Sequence, residues 1–226
     1  MKKLLANYLY FQVNDSFRKR LNKYTRKAFQ FLPQFENPKI IDIGCGTGVP
    51  TLELAKLSSG EILGIDINQF ALNLFNRKIR EKGLSDRVKT KLCSMFEMDF
   101  PDQSYDIIWS EGSIYKIGFL NGIKNWKRFL KVNGFLVVHD RIEGKQNDLK
   151  KVSTYGYEIV NKFELPKDVW WKEYFEPLEK ELKKICLPLT DPEFIQEFEK
   201  IQGEIDFLKN NPTDCLSGFY IMQKNH

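Results

Sequence analysis

The sequence predicts an α/β fold whose core is a mostly parallel sheet. Three observations predict it. Short apolar runs alternate with amphipathic segments through most of the chain, and an apolar strand near residue 40 runs straight into alternate glycines and a helix. The length, 226 residues, with 42% apolar and 29% charged residues, suits one domain with a sizeable core.

An amphipathic helix is expected first, within 1–36, with Phe17, Leu21, Tyr24 and Ala28 recurring at helical spacing. Residues 1–30 hold eight Lys or Arg against a single acid, Asp15, and the remainder of the chain is at −2 although the net charge is +5. Arg18, Lys19, Arg20, Lys23, Arg26 and Lys27 mostly fall on the other faces of that helix, so a solvated face is the default reading; an acidic substrate or nucleic acid is the alternative.

Lys39–Ile43, closed upstream by Pro38, is the first strand, and Pro50 sits in the first turn of a helix through Leu52, Leu54 and Ala55. Glu61–Ile65 is the second strand. Asn68 caps the next helix, Ala71, Leu74, Phe75 and Ile79 supply its buried face, and Gly83 gives it a left-handed stop. Val88–Leu92 and Tyr105–Trp109 are the third and fourth strands. Ile123, Trp126, Phe129 and Leu130 mark another helix, after which Gly134 turns the chain into a strand over Phe135–Val138.

Strands over Tyr157–Phe163 and Gly218–Met222 are separated by a long helical interval, expected to form a cap over 166–212. There Pro177 is expected to divide or kink two helices, and Thr190-Asp191-Pro192-Glu193 reads as a capping box ahead of the stripe Phe194, Phe198, Ile201, Ile205 and Leu208. The expected organisation is a single domain: an N-terminal helix at 1–36, a core at 37–165, the cap, and a terminal strand at 213–226.

Composition excludes several classes. Cys45, Cys93, Cys186 and Cys215 are scattered without a C-x-x-C pair, and with only His139 and His226 no metal constellation is recognisable. A reducing, cytoplasmic setting follows. The opening Met-Lys-Lys-Leu-Leu-Ala imitates a signal peptide, but Asn7 interrupts the apolar run, and no run of eighteen apolar residues is present to span a membrane.

The chemistry concentrates at Ile41–Thr51, Ile-Asp-Ile-Gly-Cys-Gly-Thr-Gly-Val-Pro-Thr. Gly44, Gly46 and Gly48 lack Cβ atoms and let the backbone approach a nucleoside ligand at the carboxyl end of a parallel strand. A dinucleotide fingerprint needs a small residue at position 49, where Val49 stands. Asp66, at the end of the second strand, can accept hydrogen bonds from both hydroxyls of a ribose.

The G-x-G-x-G loop with Asp42 before it resembles motif I of the class I S-adenosylmethionine-dependent methyltransferases. Cys93 to Tyr115 is similar to that family's third and fourth motifs, and Leu130–Val138 and Phe219–Lys224 resemble its fifth and terminal strands. The resemblance implies a Rossmann-like three-layer sandwich, a seven-stranded sheet with an antiparallel last strand, and S-adenosylmethionine as cofactor. It places Asp42, Gly44, Cys45, Gly46, Gly48, Asp66 and Ile67 around that cofactor, with Ser94 and Met95 flanking the adenine; many relatives carry an acid where Ser94 stands. Trp-Ser-Glu-Gly-Ser-Ile-Tyr and Leu-Pro-Lys-Asp-Val-Trp-Trp resemble a prokaryotic small-molecule branch.

Methyl transfer from a sulfonium needs an in-line acceptor and exclusion of water, with no protein nucleophile. Glu111, just past the fourth strand, and Tyr115, within one helical turn, are the candidate catalytic residues. Glu111 could hold a substrate amine, accept a proton, shape the sulfonium's surroundings or cap the next helix. Tyr115 is pocket wall or core. His139 and Asp140 form a second pair, for which a structural hydrogen bond is the favoured reading. Trp170, Trp171 and Tyr174 could lid a cationic acceptor, although burial explains them more simply. The absence of an Asn/Asp-Pro-Pro-Tyr segment argues against nucleic acid, leaving a small-molecule acceptor; RNA or protein methylation, or a non-catalytic cofactor-binding module, are the alternatives.

Overall fold

The computed structural model describes residues 2–186, 192–211 and 215–225. By internal contacts the chain divides into two compact units, one of Lys23–Glu164 with Ser217–His226, the other of Met1–Asn22 with Leu165–Leu216.

The first unit is built on a seven-stranded sheet: β1 (Lys39–Ile43), β2 (Glu61–Asp66), β3 (Val88–Leu92), β4 (Tyr105–Glu111), β5 (Leu130–Arg141), β6 (Tyr157–Glu164) and β7 (Ser217–Lys224). The spatial order is β3-β2-β1-β4-β5-β7-β6. β1 to β5 pair in parallel, whereas β7 runs antiparallel to both β5 and β6. Strand order reverses between β1 and β4, so a crevice opens at their carboxyl ends, where α/β sheets bind ligands. Every residue of β1 after Lys39 is buried, as a central strand covered on both faces requires.

Helices of this unit are α2 (Asn22–Phe29), α3 (Val49–Leu57), α4 (Gln69–Glu81), α5 (Phe119–Trp126) and α6 (Lys145–Lys151). Asn68 caps α4, its side chain accepting the Ala71 N–H at 3.1 Å. Ala71, Leu74, Phe75 and Ile79 are buried as their spacing requires.

Three local expectations change. The N-terminal helix is interrupted: α1 (Lys2–Arg18) gives way to a 3-10 turn at Lys19–Leu21, and α2 ends at Phe29. Pro33 disfavours helical geometry in the residue before it, and Gln30–Leu32 unwind through looser bonds such as Leu32 N–H to Phe29 O. Leu130 belongs to β5 rather than to the helix. That strand pairs with β4 through a register shift between Tyr105 and Ile107, accommodated where Asn133 takes a φ of 62°. Pro177 does not divide two helices. Trp171–Phe175 form a π-helical turn in which the Glu176 N–H reaches Trp171 O, and α7 (Glu176–Cys186) continues the same helical run, so Pro177, which removes one intrahelical donor, sits beside an irregularity of the kind that kinks a helix rather than at a helix boundary.

The second unit packs α1, α7 and α8 (Pro192–Asn210) around Phe17, Leu178, Leu182 and Ile205. Buried Glu179 accepts from Lys183 at 2.6 Å, Gln202 at 3.1 Å and Lys209 at 3.2 Å, tying α7 to α8. Thr190 and Asp191 of the expected capping box, and the side chains of Phe194 and Phe198, lie outside the described residues. Among the described residues no helix is long and apolar enough to cross a membrane.

Candidate functional site

β1 delivers the chain into the glycine turn at the mouth of the crevice. Gly44 and Cys45 both donate their N–H groups to Ile65 O, at 2.8 and 3.0 Å, which stitches the turn to the end of β2. Gly44 has a φ of 78°, and a Cβ there would fall 2.4 Å from the Ser113 Cβ. Gly48, also at 78°, is the N-cap of α3, and its Cβ would lie 2.1 Å from the Phe75 ring. Gly46 differs: a Cβ would meet nothing within 4 Å. Two glycines thus permit close packing and the third faces open space.

Asp66 closes the turn from the other side. Its Oδ2 accepts the Gly46 N–H and its Oδ1 the Asn68 N–H, each at 2.8 Å, so the carboxylate is aimed by two backbone donors. A carboxylate offers about four acceptor positions, so each oxygen keeps capacity for a ligand hydroxyl. Ile67 beside it is 74% exposed. After β3, Ser94 accepts the Phe96 N–H at 3.2 Å and shapes the loop that presents Met95.

These elements surround one cavity of about 510 Å³. Gly44, Asp66, Ile67, Ser94 and Met95, all expected from sequence, line it. Sequence reasoning missed Asn68, Cys93, Phe96, Gly112, Ser113 and Lys116 as lining residues. Gly112, Ser113 and Lys116 follow the strand end that carries Glu111, and Gly112 and Ser113 fall inside the Trp109–Tyr115 segment already singled out.

Asp42, Cys45, Gly46 and Gly48 are not among the lining residues, and neither are the candidate catalytic residues Glu111 and Tyr115, which flank the lining residues Gly112, Ser113 and Lys116 in sequence. Asp42 is buried and accepts the Thr51 hydroxyl at 2.5 Å, bracing β1 against α3. Burial, with the Asp42 and Asp66 charges, pushes the Cys45 thiol well above its usual range, so it stays protonated and inert. Lys78 donates to Thr47 O at 2.9 Å and ties the turn to α4.

At the end of β4, the Glu111 Oε1 accepts from Thr25 Oγ1 and from Trp109 Nε1, both at 2.8 Å. Gly112 donates its N–H to His139 O, and Ser113 Oγ donates to Ile43 O at 2.6 Å, joining the ends of β4, β5 and β1. Tyr115 is 51% exposed and belongs to no core; the Lys116 ammonium lies 4.7 Å from its ring centroid. His139 pairs in register with Glu111, is buried, and shares a 2.9 Å hydrogen bond with Ser217 while stacking on Phe219. Asp140 is equally buried and pairs with Lys145 at 2.7 Å.

Trp170, Trp171 and Tyr174 belong to the other unit. Trp171 and Tyr174 pack against its apolar core, Trp170 meets the Tyr174 ring edge-on, and burial pushes the Tyr174 hydroxyl up. Among the described residues no group of His, Cys, Asp and Glu could hold a metal ion.

A family model described as a methyltransferase domain matches residues 34–182, well over half of the chain. The methyltransferase GfsG of Streptomyces halstedii is 26% identical over 137 residues, which cover 60% of this chain and 49% of that protein. The matched segments span between 27% and 53% of the first curated relatives' own lengths. Among solved structures, the cyclase SpnF aligns with a TM-score of 0.78 at 20% identity, over 90% of this chain and 80% of that one. An S-adenosylmethionine-dependent methyltransferase from Geobacter sulfurreducens, in complex with S-adenosylhomocysteine, aligns at 0.74 and 16% identity, over 90% and 91%. These likenesses show a shared Rossmann-like fold.

Proposed function

Because the chain belongs to the methyltransferase-domain family, we propose that it is an enzyme that moves a methyl group from S-adenosylmethionine to a small-molecule acceptor. What carries the reading is one cavity of about 510 Å³ on which the Gly44 turn, the Asp66 carboxylate and the Ser94–Met95 loop converge. Its size lies within the range of small-molecule and cofactor sites, about 300–1,000 Å³. Asp66 keeps acceptor capacity for ribose hydroxyls, exposed Ile67 and the Met95 thioether offer apolar faces to a base, and Gly44, which lines the cavity without a Cβ, lets the main chain approach the ligand. The residues present therefore fit the cofactor.

S-adenosylmethionine, when bound, supplies an activated methyl on a sulfonium. The protein supplies alignment and dryness, which are worth up to about 7–11 kcal/mol in well-oriented systems. Glu111 stands at the acceptor side, held by Thr25 and Trp109 beside Gly112, which lines the cavity. There it binds an acceptor N–H or O–H and takes its proton where the acceptor must lose one. Tyr115, half exposed and adjacent in sequence to the lining residue Lys116, is assigned as an acceptor contact rather than a core residue. His139, bonded to Ser217 and stacked on Phe219, serves the framework. The setting proposed is cytoplasmic, supported by the free thiols Cys45, Cys93 and Cys215.

Labelled S-adenosylmethionine incubated with the protein and fractionated host metabolites tests the reading. Label is expected in one low-molecular-weight fraction, with S-adenosylhomocysteine raising the melting temperature. Absence of label from every fraction sinks the enzyme claim, and a steep salt dependence of RNA binding transfers the claim to nucleic acid.

A further inference from the structure

The most evident property of α2 is its positive charge, yet its contact with the site comes from a neutral residue. Thr25 is fully buried, and its hydroxyl lies 2.8 Å from the Glu111 Oε1 across 86 residues of sequence. The Trp109 indole N–H meets the same oxygen at 2.8 Å. Trp109 is itself fully buried between Phe29 of α2 and Phe219 of β7, with ring centroids 6.3 and 6.4 Å away, so the indole has no space in which to swing. An ionised carboxylate only accepts and an indole N–H only donates, so the Thr25 hydroxyl is obliged to donate as well. Two immobile donors converging on one oxygen set the rotation of the whole carboxylate.

We infer that Thr25 is a positioning residue, holding Glu111 with Trp109 in the orientation the acceptor needs; the functional consequence rests on the role proposed above for Glu111. Misplacement of a reacting group by about 1 Å can cost around 100-fold in rate, which gives such a clamp its leverage. The neighbouring residue supplies a contrast. Arg26 turns to a different carboxylate, Glu53 of α3, at 2.7 Å, and Glu53 also takes Lys56 at 2.8 Å. Glu111 directly precedes the lining residue Gly112, whereas neither Arg26 nor Glu53 adjoins a lining residue in sequence. Consecutive residues of α2 therefore divide the work: Thr25 orients a functional group, and Arg26 fastens one helix to another.

The test compares Thr25→Val, Thr25→Ser and Arg26→Met in the full chain, by two readouts. The first is the indole N–H resonance of Trp109 among the four tryptophans, identified by its response to Glu111→Gln. The second is methyl transfer from labelled S-adenosylmethionine to the accepting metabolite fraction, with kcat and the KM for S-adenosylmethionine measured separately. Thr25→Val is expected to move the Trp109 resonance and lower kcat by about tenfold or more with KM for the cofactor unchanged. Thr25→Ser restores both. Arg26→Met lowers the melting temperature while leaving the resonance and kcat in place. An unmoved resonance in Thr25→Val, or a kcat loss in Arg26→Met as large as that in Thr25→Val, overturns the inference. If no fraction accepts a methyl group, the proposed reaction falls, and the resonance alone still decides whether Thr25 holds Glu111.

Discussion

The Gly44–Gly48 turn, which meets the cavity at Gly44, is shaped by main chain: two N–H groups on Ile65 O, the Gly46 N–H on Asp66, and φ angles that favour glycine. Beside the cavity, Glu111 is held by side chains drawn from α2 and β4, Thr25 and Trp109, converging on a single oxygen. Main-chain construction at the donor end gives a surface that depends little on which side chains surround it. Side-chain construction at the acceptor end can be rebuilt one residue at a time. A fold that presents one cofactor to many acceptors benefits from that division.

The division can be broken or sharpened by substitution. The largest effect is expected for Gly48→Ala, which meets both a left-handed backbone and the Phe75 ring at 2.1 Å; about 2–5 kcal/mol of stability should be lost in urea unfolding. Gly46→Ala, with the same backbone problem and open space, should lose only about 1–2 kcal/mol. Equal losses would show that packing against α4 contributes nothing.

Next comes Glu111→Gln, expected to slow methyl transfer about 100-fold while calorimetric affinity for S-adenosylhomocysteine holds. A matching loss of cofactor affinity would erase the boundary between the two ends. Asp66→Asn should do the reverse, weakening S-adenosylhomocysteine about tenfold, some 1.4 kcal/mol, since an amide group would replace one of two oxygens that each accept a backbone N–H. The smallest effect on stability is expected for Asn68→Ala, which removes the α4 cap at a cost of about 1 kcal/mol in thermal unfolding.

The donor end was legible in the sequence because its signals are local. A strand, three glycines and an acid at the next strand end lie within 28 residues of one another, from Lys39 to Asp66, and each is read from its own neighbours. Asp42 was recognised as part of the same pattern, but its task, accepting the Thr51 hydroxyl, is structural, and a motif does not separate bracing from binding. The acceptor end was legible only as far as Glu111. Thr25 lies in a basic helix whose composition points to solvent, and its partner is 86 residues away. Helix α6 escaped for another reason: none of Lys145–Lys151 is fully buried, so no apolar periodicity announces it. The start of β5 was hidden because Gly134 reads as a turn, whereas the strand runs on from Leu130 through a local irregularity at Asn133.

The placement of β7 between β5 and β6 has a consequence for biosynthesis. Among the described residues β6 pairs with no other strand, and Leu165–Leu216 must be translated before β7 follows. At about 5–20 residues per second, β6 leaves the ribosome roughly 3–10 s ahead of the strand that completes it. During that interval both its edges are unpaired, and Glu158, Lys162 and Glu164 put on it the charge by which edge strands resist pairing with another chain.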